Sequence, residues 1–172
     1  MALIKVTRTY LEMVQRPNGI RPSPPDNLQI IRAIQPTVSF YRYLYNTVGD
    51  AWAWIDRRKI SDPELRKIIQ DDQIEIYVAY LFGTPAGYAE LNCEKADEIE
   101  IAYFGLMPEF IGHGLGKYLL NWATDTALDK NTKRVWLHTC TLDHPRALPL
   151  YQKTGFKVYK TEDYFMDMAK QE

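Results

Sequence analysis

The segment Met107-Pro108-Glu109-Phe110-Ile111-Gly112-His113-Gly114-Leu115-Gly116-Lys117 constrains the fold more than any other stretch of the chain. It lies between a β-rich run, Glu98–Met107, and an amphipathic run bearing Leu115, Leu119, Trp122, Ala123 and Ala127 at helical spacing. Glycine at alternate positions lets backbone amides converge on an anion without Cβ obstruction, and the start of the helix adds its partial positive charge. The segment therefore reads as strand, phosphate cradle, helix. It is not a P-loop, because Tyr118 stands where Ser or Thr should follow Lys117. A dinucleotide fingerprint belongs after the first strand of a βαβ unit, with an acid about 20 residues on. Here the loop comes two-thirds along the chain and the next strand ends in Leu137-His138-Thr139. Taken alone, the loop is equally a glycine-rich turn with no ligand, so its surroundings have to decide.

Those surroundings describe one mixed α/β domain over 1–172. At 172 residues, with 46% hydrophobic, 13% aromatic and 25% charged residues, the chain has the size and texture of a single globular core. Residues 1–27 hold a strand, Ile4–Val14, and a loop, Arg16–Asn27, in which Pro17, Asn18-Gly19, Pro22, Pro24 and Pro25 forbid regular ladders. A short strand, Leu28–Ile34, precedes a helix over Thr37–Val48, and Ser61-Asp62-Pro63-Glu64 opens a second helix with a cap, an early proline and acids in the first turn. Gln73–Phe82, Ala86–Cys93 and Glu98–Met107 read as an antiparallel meander. After the loop come a helix (Leu115–Leu128), a strand (Arg134–Thr139), a helix (Arg146–Lys153) and a final strand pair or hairpin (Phe156–Met168). The crossovers of this second half impose parallel neighbours.

Charge and composition narrow the function. A net charge of −1 and a pI near 6.3 give no general attraction to nucleic acid or anionic lipid, so no nucleic-acid or membrane partner is expected. No secretory signal or bilayer-length apolar run is present, which points to the cytoplasm. Cys93 and Cys140 read as reduced thiols, and His113, His138 and His144 lack ligand spacing, so no metal is expected.

A second motif lies downstream of the loop: Ala147-Leu148-Pro149-Leu150-Tyr151-Gln152-Lys153-Thr154-Gly155-Phe156. Together with the loop and the order of elements, it resembles the GNAT superfamily of acetyl-CoA-dependent N-acyltransferases. The family's loop pattern, [RQ]-x-x-G-x-[GA], is met at Gly114 and Gly116 but not at Ile111, and A-x-x-L-Y-x-x-x-G-F is met in full. The resemblance implies a GNAT-like fold, a central mixed antiparallel and parallel sheet of about six or seven strands flanked by about four helices. It spans roughly residues 98–160; residues 28–97 agree in element order and 1–27 not at all.

The resemblance also implies roles. Acetyl-CoA is the cosubstrate, held through Ile111, Gly112, His113, Gly114, Leu115, Gly116 and Lys117 around its pyrophosphate. Phe104, Gly105 and Leu106 run beside the pantetheine arm, with Phe104 or Leu106 donating an amide to the thioester carbonyl, and Gly105 suits a bulge there. Glu100 matches the carboxylate base of one branch; as a residue of an alternating strand it is equally a polar face position. Tyr151 matches the tyrosine that protonates the leaving thiolate, its alternative being a core aromatic. His144 stands where many members contact CoA through asparagine, or else it caps the helix ahead of Pro145. Pro149 makes that helix start late or bend. Tyr45, Trp52 and Trp54 are expected to wall the acceptor site, and Arg57-Arg58-Lys59 reads as a solvated cluster or a phosphate contact. The expected reaction is direct transfer of an acetyl group to a primary amine of a small molecule, peptide or protein, by a monomer or homodimer. A catalytically silent acyl-CoA-binding module and a nucleotide-binding protein are the alternatives.

Overall fold

The computed structural model describes residues 3–167. Seven strands and four helices follow in chain order: β1 (Leu3–Met13), β2 (Leu28–Arg32), α1 (Val38–Gly49), α2 (Asp62–Ile69), β3 (Ile74–Leu81), β4 (Thr84–Lys95), β5 (Glu98–Leu106), α3 (Leu115–Leu128), β6 (Arg134–Cys140), α4 (Ala147–Thr154) and β7 (Lys157–Asp167). They form one sheet in the order β2-β3-β4-β5-β6-β1-β7. This is the mixed α/β architecture expected from the sequence.

Local chemistry sets the element ends. Thr37 caps α1 by accepting from the Phe40 amide, and Ser61 and Glu64 close a reciprocal capping box on α2. Pro149 falls within the first turn of α4, where amides have no intrahelical acceptor in any case, so the helix begins at Ala147 without losing a bond. The helix starts at Ala147, one residue later than the expected Arg146, and Tyr151 is carried within it.

The two faces of the sheet bury separate cores. Tyr41, Leu44, Tyr45 and Val48 of α1 and Leu65 and Ile69 of α2 pack on Ile74, Ile76, Val78 and Tyr88. On the opposite face, Leu120, Ala123 and Ala127 of α3 and Tyr151 of α4 pack on Leu11, Met13, Leu91, Ile99, Ile101, Val135 and Leu137.

Two expectations change. Residues 157–167 form one strand, not a hairpin, because no glycine, proline or asparagine breaks them and β1 supplies their neighbour; Met168 lies outside the described residues. Among the described residues, only β5 and β6 are parallel neighbours. β1 enters between β6 and β7, antiparallel to both, so the crossover through α4 spans one strand. The N-terminal strand is thus an interior strand, with Val6 and Leu11 fully buried.

Candidate active site

The parallel ladder between β5 and β6 lasts three positions, Glu98 to Glu100 against Arg134 to Trp136. Both strands then continue without pairing, β5 to Leu106 and β6 to Cys140, and the sheet opens between them. An extra residue in β5, between Ile101 and Tyr103, turns the strand at the start of this opening. The bulge is therefore at Ala102 and not, as expected, at Gly105. Gly105 has a different cause: a Cβ there would meet Val48 Cγ1 at 2.3 Å, so glycine lets α1 approach the strand.

Strand alternation determines which β5 amides face the opening. Met107 donates its amide to the Ala86 carbonyl on β4 at 2.8 Å, which directs Gly105 toward β4 as well. The amides of Leu106 and Phe104 then point the other way, into the space β6 has vacated.

A cavity of about 490 Å³ fills this opening and passes from one face of the sheet to the other. On the α3 side it is lined by Ile111, Gly112, Gly114, Gly116, Lys117, Arg146, Leu150 and Tyr151. Gly112 and Gly114 have φ of +91° and +81° with open space where a Cβ would stand, a backbone available only to glycine at low cost. Gly114 caps α3 without offering a side chain, so nothing of its own occupies the first-turn amides of the helix. Among the described residues, neither Lys117 nor Arg146 is in an ion pair. Free amides at a helix start, flanked by two uncommitted cations, fit a pyrophosphate. His113 and Leu115 do not line the cavity: His113 is exposed and Leu115 is buried in the core, so their contribution to the loop is backbone.

Tyr151 reaches the cavity from α4, edge-on to Phe104 with ring centroids 6.3 Å apart. Burial, with Asp143 nearby, pushes its phenol well above the ordinary tyrosine range, so it keeps its proton.

On the α1 side the wall is Tyr45, Trp52, Trp54, Asp56, Tyr103, Arg8, His138 and Tyr164. Trp54 packs against Tyr45 and Tyr103 with centroids 5.3 Å from each. Trp52 packs at a tilt against His144, with ring centroids 4.8 Å apart, joining the loop after α1 to the loop after β6 across one end of the cavity. His144 meanwhile accepts the Arg146 amide through Nδ1, a bond in the turn ahead of α4 and not a cap on its first-turn amides, so the expected capping role is not seen.

Glu100 sits on this same face but does not line the cavity. Its Oε1 is 3.9 Å from Nε2 of His138, which does. Burial, then the charge of Glu90, raises the Glu100 carboxyl above its ordinary value. Burial and Arg8 lower the His138 imidazole, so it is neutral near pH 7. The two groups are shifted toward one another.

Sequence reasoning missed Glu90 and misread Arg57. Glu90 is fully buried under the α1 wall and is bound by Tyr41 Oη and, at 2.7 Å, by Arg57 Nη2. Arg57 is no solvated cation: its guanidinium lies 5.3 Å over the Tyr103 ring and its amide donates to Tyr45 Oη. Arg42 holds the same turn through the carbonyls of Arg57 and Ile60. Arg57 Nε and Tyr88 Oη are buried without protein partners. Burial raises the Glu90 carboxyl against the pull of Arg57 and Tyr41. This cluster fixes the turn that carries Trp52, Trp54 and Asp56. Glu90 alternates with Ala89 and Leu91 in β4, and a lone acid in an apolar run was the available signal.

Known proteins resemble this chain in sequence or in fold. An uncharacterised N-acetyltransferase of Mycobacterium tuberculosis is 30% identical over 105 residues, covering 61% of this chain and 67% of that protein. A GCN5-related N-acetyltransferase from Kribbella flavida superposes with a TM-score of 0.63 at 16% identity over 95% of this chain, which spans 58% of that protein's length. A GNAT family acetyltransferase from Elizabethkingia anophelis, solved with acetyl-CoA bound, superposes with a TM-score of 0.58 at 21% identity over 79% of this chain and 80% of its own. No helix among the described residues is long and apolar enough to cross a membrane. The model of the Acetyltransferase (GNAT) family matches residues 40–156, more than half the chain, and the protein belongs to that family.

Proposed function

We propose that the protein transfers an acetyl group from acetyl-CoA directly to a primary amine. The observation that carries this reading is the opening between β5 and β6, with an anion cradle at its α3 side and a separate aromatic wall at its α1 side. Donor and acceptor can then enter from opposite faces and meet at Phe104–Leu106.

Acetyl-CoA supplies an activated thioester carbonyl. The chain supplies the rest. The amides at 112–117, with Lys117 and Arg146, hold the pyrophosphate. The Phe104 or Leu106 amide donates to the carbonyl oxygen as it gains negative charge, an effect of about 3 kcal/mol in comparable sites. Tyr151, kept protonated by burial, passes a proton to the departing sulfur while the second proton of the attacking nitrogen replaces it, so that no buried phenolate is left. An alkyl ammonium must lose a proton before it can attack. His138 takes it at the cavity wall, and Glu100 behind it stabilises the resulting imidazolium. Cys93 does not line the cavity; Cys140 does, but burial raises both thiols and so disfavours the thiolate an acyl-enzyme would need, which supports direct transfer.

A catalytically silent acyl-CoA-binding module shares the cradle but has no use for Tyr151 or the His138–Glu100 pair. Amine-dependent release of free CoA thiol separates the two. Tyr151→Phe should lower kcat by about a hundredfold or more while acetyl-CoA still raises the melting temperature. Unchanged turnover in Tyr151→Phe would remove that residue from the mechanism. The reading further has the enzyme cytoplasmic, metal-independent and active as a monomer or homodimer.

A further inference from the structure

We propose that the acceptor is a primary amine that also carries a carboxylate, and that Arg8 of β1 holds that carboxylate at the α1 side of the cavity. The inference rests on the acetyl-transfer reading above and names its substrate class. Arg8 lies outside residues 40–156, the stretch shared with the family, so the family likeness assigns it nothing.

Position comes first. In the β1–β6 register Arg8 lies opposite Cys140 and Tyr10 opposite His138, which puts Arg8 on the same face as His138. Tyr10 and His138 are in ring contact at 5.7 Å, confirming that face. The glycine loop, Lys117 and Arg146 serve the other side of the sheet, so phosphate groups there do not call on Arg8.

Pairing comes second. Arg16, Arg42, Arg57 and Arg134 each hold a carboxylate of the chain at 2.9 Å or less. Arg8 lines the cavity yet is in no ion pair among the described residues; its guanidinium rests 5.0 Å over the Tyr164 ring. The acids around it are committed. Glu162, its partner in the β7 register, is bound by Tyr10 Oη and Lys160. Asp163 is bound by Lys5 and Thr7, and Asp143 by Thr139 and the Cys140 amide. The groups that engage it are the neutral phenols of Tyr10 and Tyr164, so a guanidinium that lines a cavity without an anionic partner is suited to a bidentate carboxylate.

Charge balance comes third. Asp56 lines the same side of the cavity and is likewise in no ion pair among the described residues. One cation and one anion, neither in an ion pair among the described residues, complement a zwitterion: the ammonium is drawn toward Asp56 and His138, the carboxylate toward Arg8. A polyamine would meet Arg8 as a like charge, and a neutral amine would leave it desolvated.

The test is an acceptor panel of α- and ω-amino acids, their carboxamides and simple diamines, assayed with the wild type, Arg8→Gln and Arg8→Lys. The wild type should favour an amino acid over its carboxamide by about tenfold to a hundredfold in kcat/KM, the range of one hydrogen-bonded charge. Arg8→Gln should erase that preference, chiefly through KM, with Arg8→Lys intermediate and the acetyl-CoA melting shift unchanged in both. Carboxamides or diamines accepted as well as the acids by the wild type would overturn the inference and leave acetyl transfer standing. So would an acid preference that survives Arg8→Gln. If acetyl-CoA binds but no amine is acetylated, the acetyl-transfer reading falls and this inference with it. The wild-type panel decides even if an Arg8 variant fails to fold.

Discussion

Glu90 shows how much a single side chain can organise without touching a substrate. Its carboxylate is fully buried, and Arg57 and Tyr41 are what keep it there. Removing one member of such a pair strands the other charge, so Glu90→Ala should cost about 3–5 kcal/mol in chemical denaturation. A cost below about 1 kcal/mol would mean that the pair is dispensable. The sequence could display Glu90 in an apolar strand but not its partner, because Arg57 lies 33 residues away and meets it only when α1 folds onto the sheet. The place of Tyr151 in α4 was legible for the opposite reason: its motif is local. Proton transfer offers a second residue-scale expectation. Burial and Arg8 depress the His138 imidazole, so the neutral form is present down to a pH below the ordinary histidine value of about 6.5. With His138 as acceptor of the proton, kcat/KM should fall only as pH drops through that lowered value, and His138→Gln should abolish this acid limb.

Between elements, the β5–β6 opening depends on how closely α1 can press on β5. Gly105 permits that contact, since a Cβ would lie 2.3 Å from Val48 Cγ1. Gly105→Ala should destabilise by about 1–3 kcal/mol, the usual range for overpacking, and Val48→Ala should recover part of the loss. Additive costs in the double variant would break the link between the two positions. The glycine loop and α3 were fully readable, because alternate glycines and a 3.6-residue apolar period are properties of adjacent residues. The bulge at Ala102 was not, because nothing in Ile101-Ala102-Tyr103 marks it; it reflects the register between β4 and β5.

Across the whole molecule, the feature least visible in the sequence is the place of β1. Its pairing with β6 and β7 joins residues more than a hundred positions apart, as in Arg134–Glu12 and Tyr10–Glu162, and hydrophobic periodicity carries no information about partners at that distance. The strand places Leu11 and Met13 in the α3-side core and Arg8 in the cavity, and it gives β7 its pairing in the sheet. A chain lacking residues 1–13 should therefore fail to unfold cooperatively, whereas a peripheral strand could be removed with the transition retained. The central claim concerns what the opened sheet holds. Its most direct test is a thermal-shift titration of the intact chain with acetyl-CoA, CoA, ATP and NAD. At 100 times its dissociation constant a ligand adds about 2.7 kcal/mol, several degrees for a chain of this size. Stabilisation by acetyl-CoA and CoA, lost in Gly112→Ala and Gly114→Ala and not matched by ATP or NAD, is the expected result. Equal stabilisation by ATP or NAD, or no response to either CoA species at millimolar concentration, would contradict it.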